Sequence, residues 1–124
     1  MAILTDETYV DKAEKVIKSL DRDNRNPAAF VLTTTKIRNL LSLTSNLYDE
    51  SLGKQSLDGL TDKLAYLRVQ FVYQAGREKS VKQLVENAEI LGALKEINDV
   101  ASLQRFSRYM EALVAYFKFE GGKD

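Results

Sequence analysis

Near the end of the chain, Leu103, Phe106, Met110, Leu113 and Phe117 recur at alternating spacings of three and four. Only a helix keeps such a period on one face, and the alternation favours shallow-angle packing in a bundle. The run over residues 106–118 is strongly apolar, as is an earlier run over residues 67–77. Both read as too apolar for a surface helix, and both carry few groups suited to chemistry. They predict the centre of an all-α protein that works by packing and by holding charge in place.

The rest of the chain divides around them. A single proline, Pro27, leaves helical segments almost uninterrupted. A first helix opens at Thr8, with Asp11 completing a partial capping box and Val10, Ala13, Val16, Ile17 and Leu20 as its apolar stripe. Residues 21–27 break it. That acidic stretch fails as a calcium loop, because its sixth position is Asn26 rather than glycine and its twelfth is Leu32 rather than glutamate. One of Thr33, Thr34 and Thr35 caps the next helix, which buries Ile37, Leu40, Leu41, Thr44, Leu47 and Tyr48. Residues 49–59, with Gly53 and Gly59, form the one flexible connection of any size, and Lys54 sits near its tip.

A third helix over about 60–76 is expected at the centre of the fold. Leu60, Leu64, Leu67, Phe71 and Ala75 form its main stripe, and Tyr66, Val69 and Tyr73 cover much of the other side. Arg68 projects nearly opposite the polar strip of Lys63, Gln70, Gln74 and Arg77. Gly76 is its stop signal. Ser80 and Gln83 are spaced as a capping box for a fourth helix burying Val81, Leu84, Val85, Ala88, Leu91 and Leu94. Asn98 and Asp99 separate it from the last helix, and Gly121-Gly122 ends the structured part. The expectation is a compact bundle of about five helices, a single domain over residues 1–124 with a short flexible tail at about 120–124.

Composition removes whole classes of function. A domain of this length buries roughly 65–70% of the surface its unfolded chain exposes, so it needs no staples, and the 44% apolar content supports a core. The chain has no cysteine and no histidine. Disulfides, thiolate zinc sites, cysteine nucleophiles and the commonest general base near neutral pH are therefore absent. Pairs such as Glu86 and Glu89, or Glu111 and Glu120, have ordinary helix-surface spacing, so no catalytic residue, metal site or cofactor is expected. The first ten residues lack a basic and an apolar leader region, and no run reaches membrane-spanning length. The sequence predicts a soluble, cytoplasmic protein with no membrane partner.

Eighteen basic and eighteen acidic residues cancel, so distribution matters more than the sum. Between Lys63 and Lys82 the bases Lys63, Arg68, Arg77, Lys79 and Lys82 face only Glu78. That is either ordinary solvated helix or a local positive face. Tyr66, Tyr73, Tyr109 and Tyr116 read as core or interface groups rather than as base-stacking platforms.

Three stretches resemble the small subunit of type III-A CRISPR effector (Csm) complexes: residues 32–38 (LTTTKIR), 67–77 (LRVQFVYQAGR) and 106–117 (FSRYMEALVAYF). Their order, their separation and the chain length fit as well. The resemblance implies a helical bundle without enzymatic activity, one of several copies inside a ribonucleoprotein for antiviral defence. Its partners would be the repeated backbone subunits, the large polymerase/cyclase-like subunit, further copies of itself, and the guide and target RNA. It would line the groove where target pairs with guide and support the RNA through its phosphates, a task for arginine and lysine on a rigid scaffold. RNA-binding candidates are Lys36 and Arg38 in the first stretch, Arg68 and Arg77 in the second, Lys79 just after it, and Lys54 in the loop. Arg68 has a structural alternative, pairing with an acid near the core, and Arg105 and Arg108 are equally suited to subunit contacts. The rival reading is a helical scaffold that binds protein alone.

Overall fold

A computed structural model of the chain describes residues 2–54 and 56–122. Among the described residues it carries six helices, α1 (Tyr9–Ser19), α2 (Thr34–Ser51), α3 (Thr61–Arg77), α4 (Lys79–Asn87), α5 (Ile90–Lys95) and α6 (Val100–Phe119). The sixth arises because the expected fourth helix breaks at Glu89, whose backbone is left-handed at φ 54°. The apolar positions on both sides of the break, from Val81 to Leu94, still point inward, except that Leu91 is only partly buried.

Helix α6 is the centre of the bundle and packs against α1 and α2. Leu103, Phe106, Tyr109, Met110, Leu113 and Phe117 are all removed from solvent, as the spacing predicts. Burial of each such side chain contributes about 1.5–3 kcal/mol. Phe106 meets Phe71 of α3 edge to face, with ring centroids 6.3 Å apart. Phe117 stacks on Phe30 at 4.7 Å, which pins the loop between α1 and α2 to the end of α6. Arg22 covers the other face of this loop, its guanidinium 3.8 Å from the Phe30 centroid.

The expectation that α3 lies at the centre is corrected. It packs against α2, α4 and α5, and within the helix only Leu67 and Phe71 are fully buried. Tyr66, Val69, Val72 and Tyr73 are between 51% and 61% exposed. Hydrophobicity alone could not separate a core face from an apolar outer face.

Capping follows the sequence in some places and departs from it in others. Thr33 caps α2, its Oγ1 accepting from the Lys36 amide at 3.3 Å. Thr8 does precede α1, but its hydroxyl bonds to that of Thr5, and Asp11 forms no capping box. Val10 of the proposed stripe is 40% exposed. The Ser80–Gln83 box is also absent, because α4 already begins at Lys79 and Gln83 Oε1 accepts from the Asp21 amide at 2.9 Å. Among the described residues a full capping box is at Asp99 and Ser102, opening α6. Helix α3 runs one residue past Gly76 and ends at the extended Glu78. At the C-terminal end, Gly121 takes φ 116°, which lets the Gly122 amide bond back to the Phe117 carbonyl at 2.8 Å. Lys123 and Asp124, the end of the expected tail, lie outside the described residues.

Candidate functional site

The outer face of α3 joins exposed apolar groups to charge. At 100° per residue its buried face is centred between Leu67 and Phe71. Arg68 then leaves the helix about 80° to one side and Arg77 about 100° to the other. Between them lie Val72, Val69, Tyr73 and Tyr66, with Ala65 and Gly76, and with Thr61 and Asp62 on the same arc in the first turn. The two arginines therefore frame one exposed, partly aromatic surface rather than lining one narrow groove. Both are exposed, and Arg68 has no ion pair with an acid among the described residues.

Three of the candidates gather where α3 turns into α4. Arg77 rests over the Tyr73 ring, 5.6 Å from its centroid, a cation–π contact that orients the guanidinium. Lys79 is exposed in the first turn of α4, and Lys82 follows one turn later. Glu78, the one acid of this basic stretch, is held by Lys36 of α2 at 3.0 Å. This pair ties the start of α2 to the corner and offsets the charge that would oppose Arg77, Lys79 and Lys82. An exposed pair of this kind adds little stability, so its consequence is mainly positional.

The other candidates lie elsewhere. Arg38 is exposed on α2, two residues past Lys36. Lys54 is exposed in the loop after α2, an 18-residue helix away from the corner, or about 27 Å. Beside that distal end Lys63 bonds Glu50 at 2.6 Å. Arg105 bonds Asp6 at 2.7 Å and anchors the N-terminal segment. The Glu96 carboxylate does the same by accepting from the Ile3 amide.

Among the tyrosines, Tyr109 is core, its hydroxyl donating to the Ala88 carbonyl at 3.0 Å, and Tyr116 packs partly buried on the core. Tyr66 and Tyr73 stand on the exposed α3 face. Sequence reading missed Val72 as part of this surface, although Val69 and Val72 share the spacing of three that would have found it. Two groups have shifted acidities. Burial, with Glu89 adding charge repulsion, pushes the Tyr109 hydroxyl well above its ordinary value. Asp99 is held below the usual carboxylate value by hydrogen bonds from the Ser102 side chain and amide. Neither lies on the α3 surface. Among the described residues no group of three or more His, Cys, Asp or Glu side chains is placed to hold a metal ion, and no helix is long and apolar enough to cross a membrane.

A family model for type III-A Csm2 matches residues 7–123. A Streptococcus thermophilus protein named CRISPR system Cms protein Csm2 is 64% identical over 124 residues, with the whole of both chains covered. A protein of the same name from Mycobacterium tuberculosis strain H37Rv is 48% identical over 130 residues, covering 100% of this chain and 99% of that one. Another from Enterococcus italicus is 34% identical over 119 residues, covering 86% and 85%.

Proposed function

The chain belongs to the type III-A Csm2 family, and from that premise we propose that it is a non-catalytic subunit lining the guide–target groove of a CRISPR interference complex. It supports target RNA through phosphate contacts, beside the backbone subunits, the large subunit and further copies of itself. The observation that carries the reading is the α3–α4 corner. There Arg77 and Lys79 are exposed, and the only nearby acid of the stretch is engaged by Lys36. Guanidinium and ammonium groups on rigid helices contact phosphates whatever the bases, which is what support of any target sequence requires.

Binding is therefore weak and indifferent to sequence. With two to four phosphate contacts per copy, the log–log salt slope on single-stranded RNA is roughly −1.4 to −2.8. Replacing Arg77 and Lys79 together with alanine weakens binding about equally for unrelated RNAs. Fluorescence anisotropy across a salt series measures both quantities. A marked base preference contradicts the role, and an unchanged double variant contradicts the assignment of these two residues.

A second reading has its own observation. The exposed Tyr66, Val69, Val72 and Tyr73 form a continuous apolar stripe on one helix, as protein interfaces do. On that reading the α3 face docks a neighbouring protein subunit, and RNA binding by the isolated chain is absent at all salt concentrations.

A further inference from the structure

We propose that Tyr73, with Tyr66 two turns before it on α3, is a stacking platform for unpaired RNA bases. This inference rests on the reading of the chain as an RNA-supporting subunit and adds a base contact to one built on phosphates alone. The two rings are each 61% exposed. Among the described residues neither hydroxyl has a hydrogen bond. Tyr109 is the contrast, its ring fully buried and its hydroxyl donating to the Ala88 carbonyl. The fold uses that tyrosine for packing and holds the α3 pair out in solvent.

The pair lies in one row with a cation. At 100° per residue, Tyr66 and Tyr73 leave α3 within about 20° of each other, and Arg77 within about 40° of Tyr73. The tyrosines stand about 10.5 Å apart along the axis, and Arg77 follows about 6 Å later. That spacing is too wide for one base to touch both rings, so the row offers two separate stacking faces along one strand. The Arg77 guanidinium lies over the Tyr73 ring, 5.6 Å from its centroid. A base on the open part of the ring would thus have a phosphate partner beside it. Val69, 58% exposed, widens the apolar floor next to the row.

Charge selects the occupant. Helix α3 carries one acid, Asp62, against Lys63, Arg68 and Arg77. Asp62 sits in the first turn, about 16 Å along the axis from Tyr73. Arg68 and Arg77 bound the aromatic face on its two sides, and Lys79 continues the positive edge onto α4. The neighbouring acids Glu78 and Glu50 are paired with Lys36 and Lys63. A face of rings rimmed by cations complements a strand that carries a flat base and a negative charge in every nucleotide. Stacking accepts any base, because each has a π-face, so it leaves binding indifferent to sequence.

The test uses the full-length chain and two single-stranded RNAs of equal length, one of mixed sequence and one with abasic residues. Both carry the same phosphates, so their difference reads the bases. Anisotropy should show the mixed strand binding about fivefold tighter or more, the lower end of what one stacked base contributes. Tyr73→Leu keeps an apolar side chain without the π-face and should lose most of that difference, whereas Tyr73→Phe should keep it. Both positions being exposed, the melting temperatures should stay close to that of the parent. In NMR, the mixed strand should move the ring protons of Tyr66 and Tyr73 upfield and leave those of Tyr109 in place. Equal affinity of the parent for the two strands overturns the platform while phosphate support stands. A Tyr73→Leu variant that loses both strands equally also overturns it, since Tyr73 then serves only to orient Arg77. A variant that keeps the full preference for the mixed strand shows that bases stack elsewhere and leaves the α3 face to a protein neighbour. Binding of neither strand overturns both this inference and the RNA-supporting role.

Discussion

Tyr109 combines a buried ring with a hydroxyl that can lose a proton and that donates to the Ala88 carbonyl. Desolvation first, then the Glu89 charge, raises its folded pKa above the ordinary 10.0. The unfolded chain titrates near that ordinary value, so above about pH 10 the unfolded state gives up the proton first. The contribution is complete below about pH 10 and is lost as pH rises toward the folded pKa, by up to about 1.4 kcal/mol per pH unit. Tyr109→Phe should remove this alkaline sensitivity. It should also cost about 1–3 kcal/mol at neutral pH, because the Ala88 carbonyl is left without its donor. Urea unfolding of both proteins at neutral pH and above pH 10 separates the two effects. Lysine titration acts on both chains alike and cancels in the comparison.

At the scale of elements, the informative positions are the joints. Glu89 adopts φ 54° and ψ 39°, a region that costs an L residue roughly 1–2 kcal/mol and glycine almost nothing. Its carboxylate pairs with Lys12 of α1, a surface contact worth less than the strain. Glu89→Gly should therefore stabilise the protein by about 0.5–1 kcal/mol in thermal unfolding, and destabilisation would show that the ion pair outweighs the backbone. The Asp99 cap gives a sharper comparison. Asp99→Ala should lower the melting temperature and Asp99→Ser should largely restore it. Because its folded pKa lies below the ordinary 3.8, the stability Asp99 contributes is present above that value and is lost as pH falls through the folded pKa. The helix periods were legible in the sequence, and α6 buries the side chains its spacing selects. The joints were not. Glutamate carries no signal for a left-handed residue, so the α4–α5 break was invisible. The Ser80–Gln83 spacing matched a capping box, yet a bond to the Asp21 amide, distant in sequence, takes Gln83. Ser102 closes the Asp99 box from a position where glutamate or glutamine is the expected sign.

Over the whole molecule, the charge pattern was readable where the cations are close in sequence, and it failed where folding decides. Arg77 and Lys79 were identifiable from a basic run, whereas the Lys36–Glu78 pair that opens the corner joins residues 36 and 78 and depends on how α2 meets α3. The apolar content of α3 was visible, but tyrosine and valine fit a core or an interface equally well, and only packing assigns them to the surface. The same whole-molecule view bears on chemistry. RNA cleavage near neutral pH needs a base to take the 2′-hydroxyl proton or a metal to activate water. The chain has no histidine or cysteine. Glu78, the acid within the basic stretch, pairs with Lys36, and Asp6 pairs with Arg105. The purified protein should therefore cut neither RNA nor DNA with magnesium, manganese or no metal. Removing it from an assembled interference complex should weaken target engagement while leaving the cleavage chemistry of other subunits in place. A time course on labelled target RNA with the isolated chain is the decisive assay. Cleavage that follows the protein through a second purification, and vanishes when its carboxylates are replaced, would make it a nuclease and defeat the supporting role.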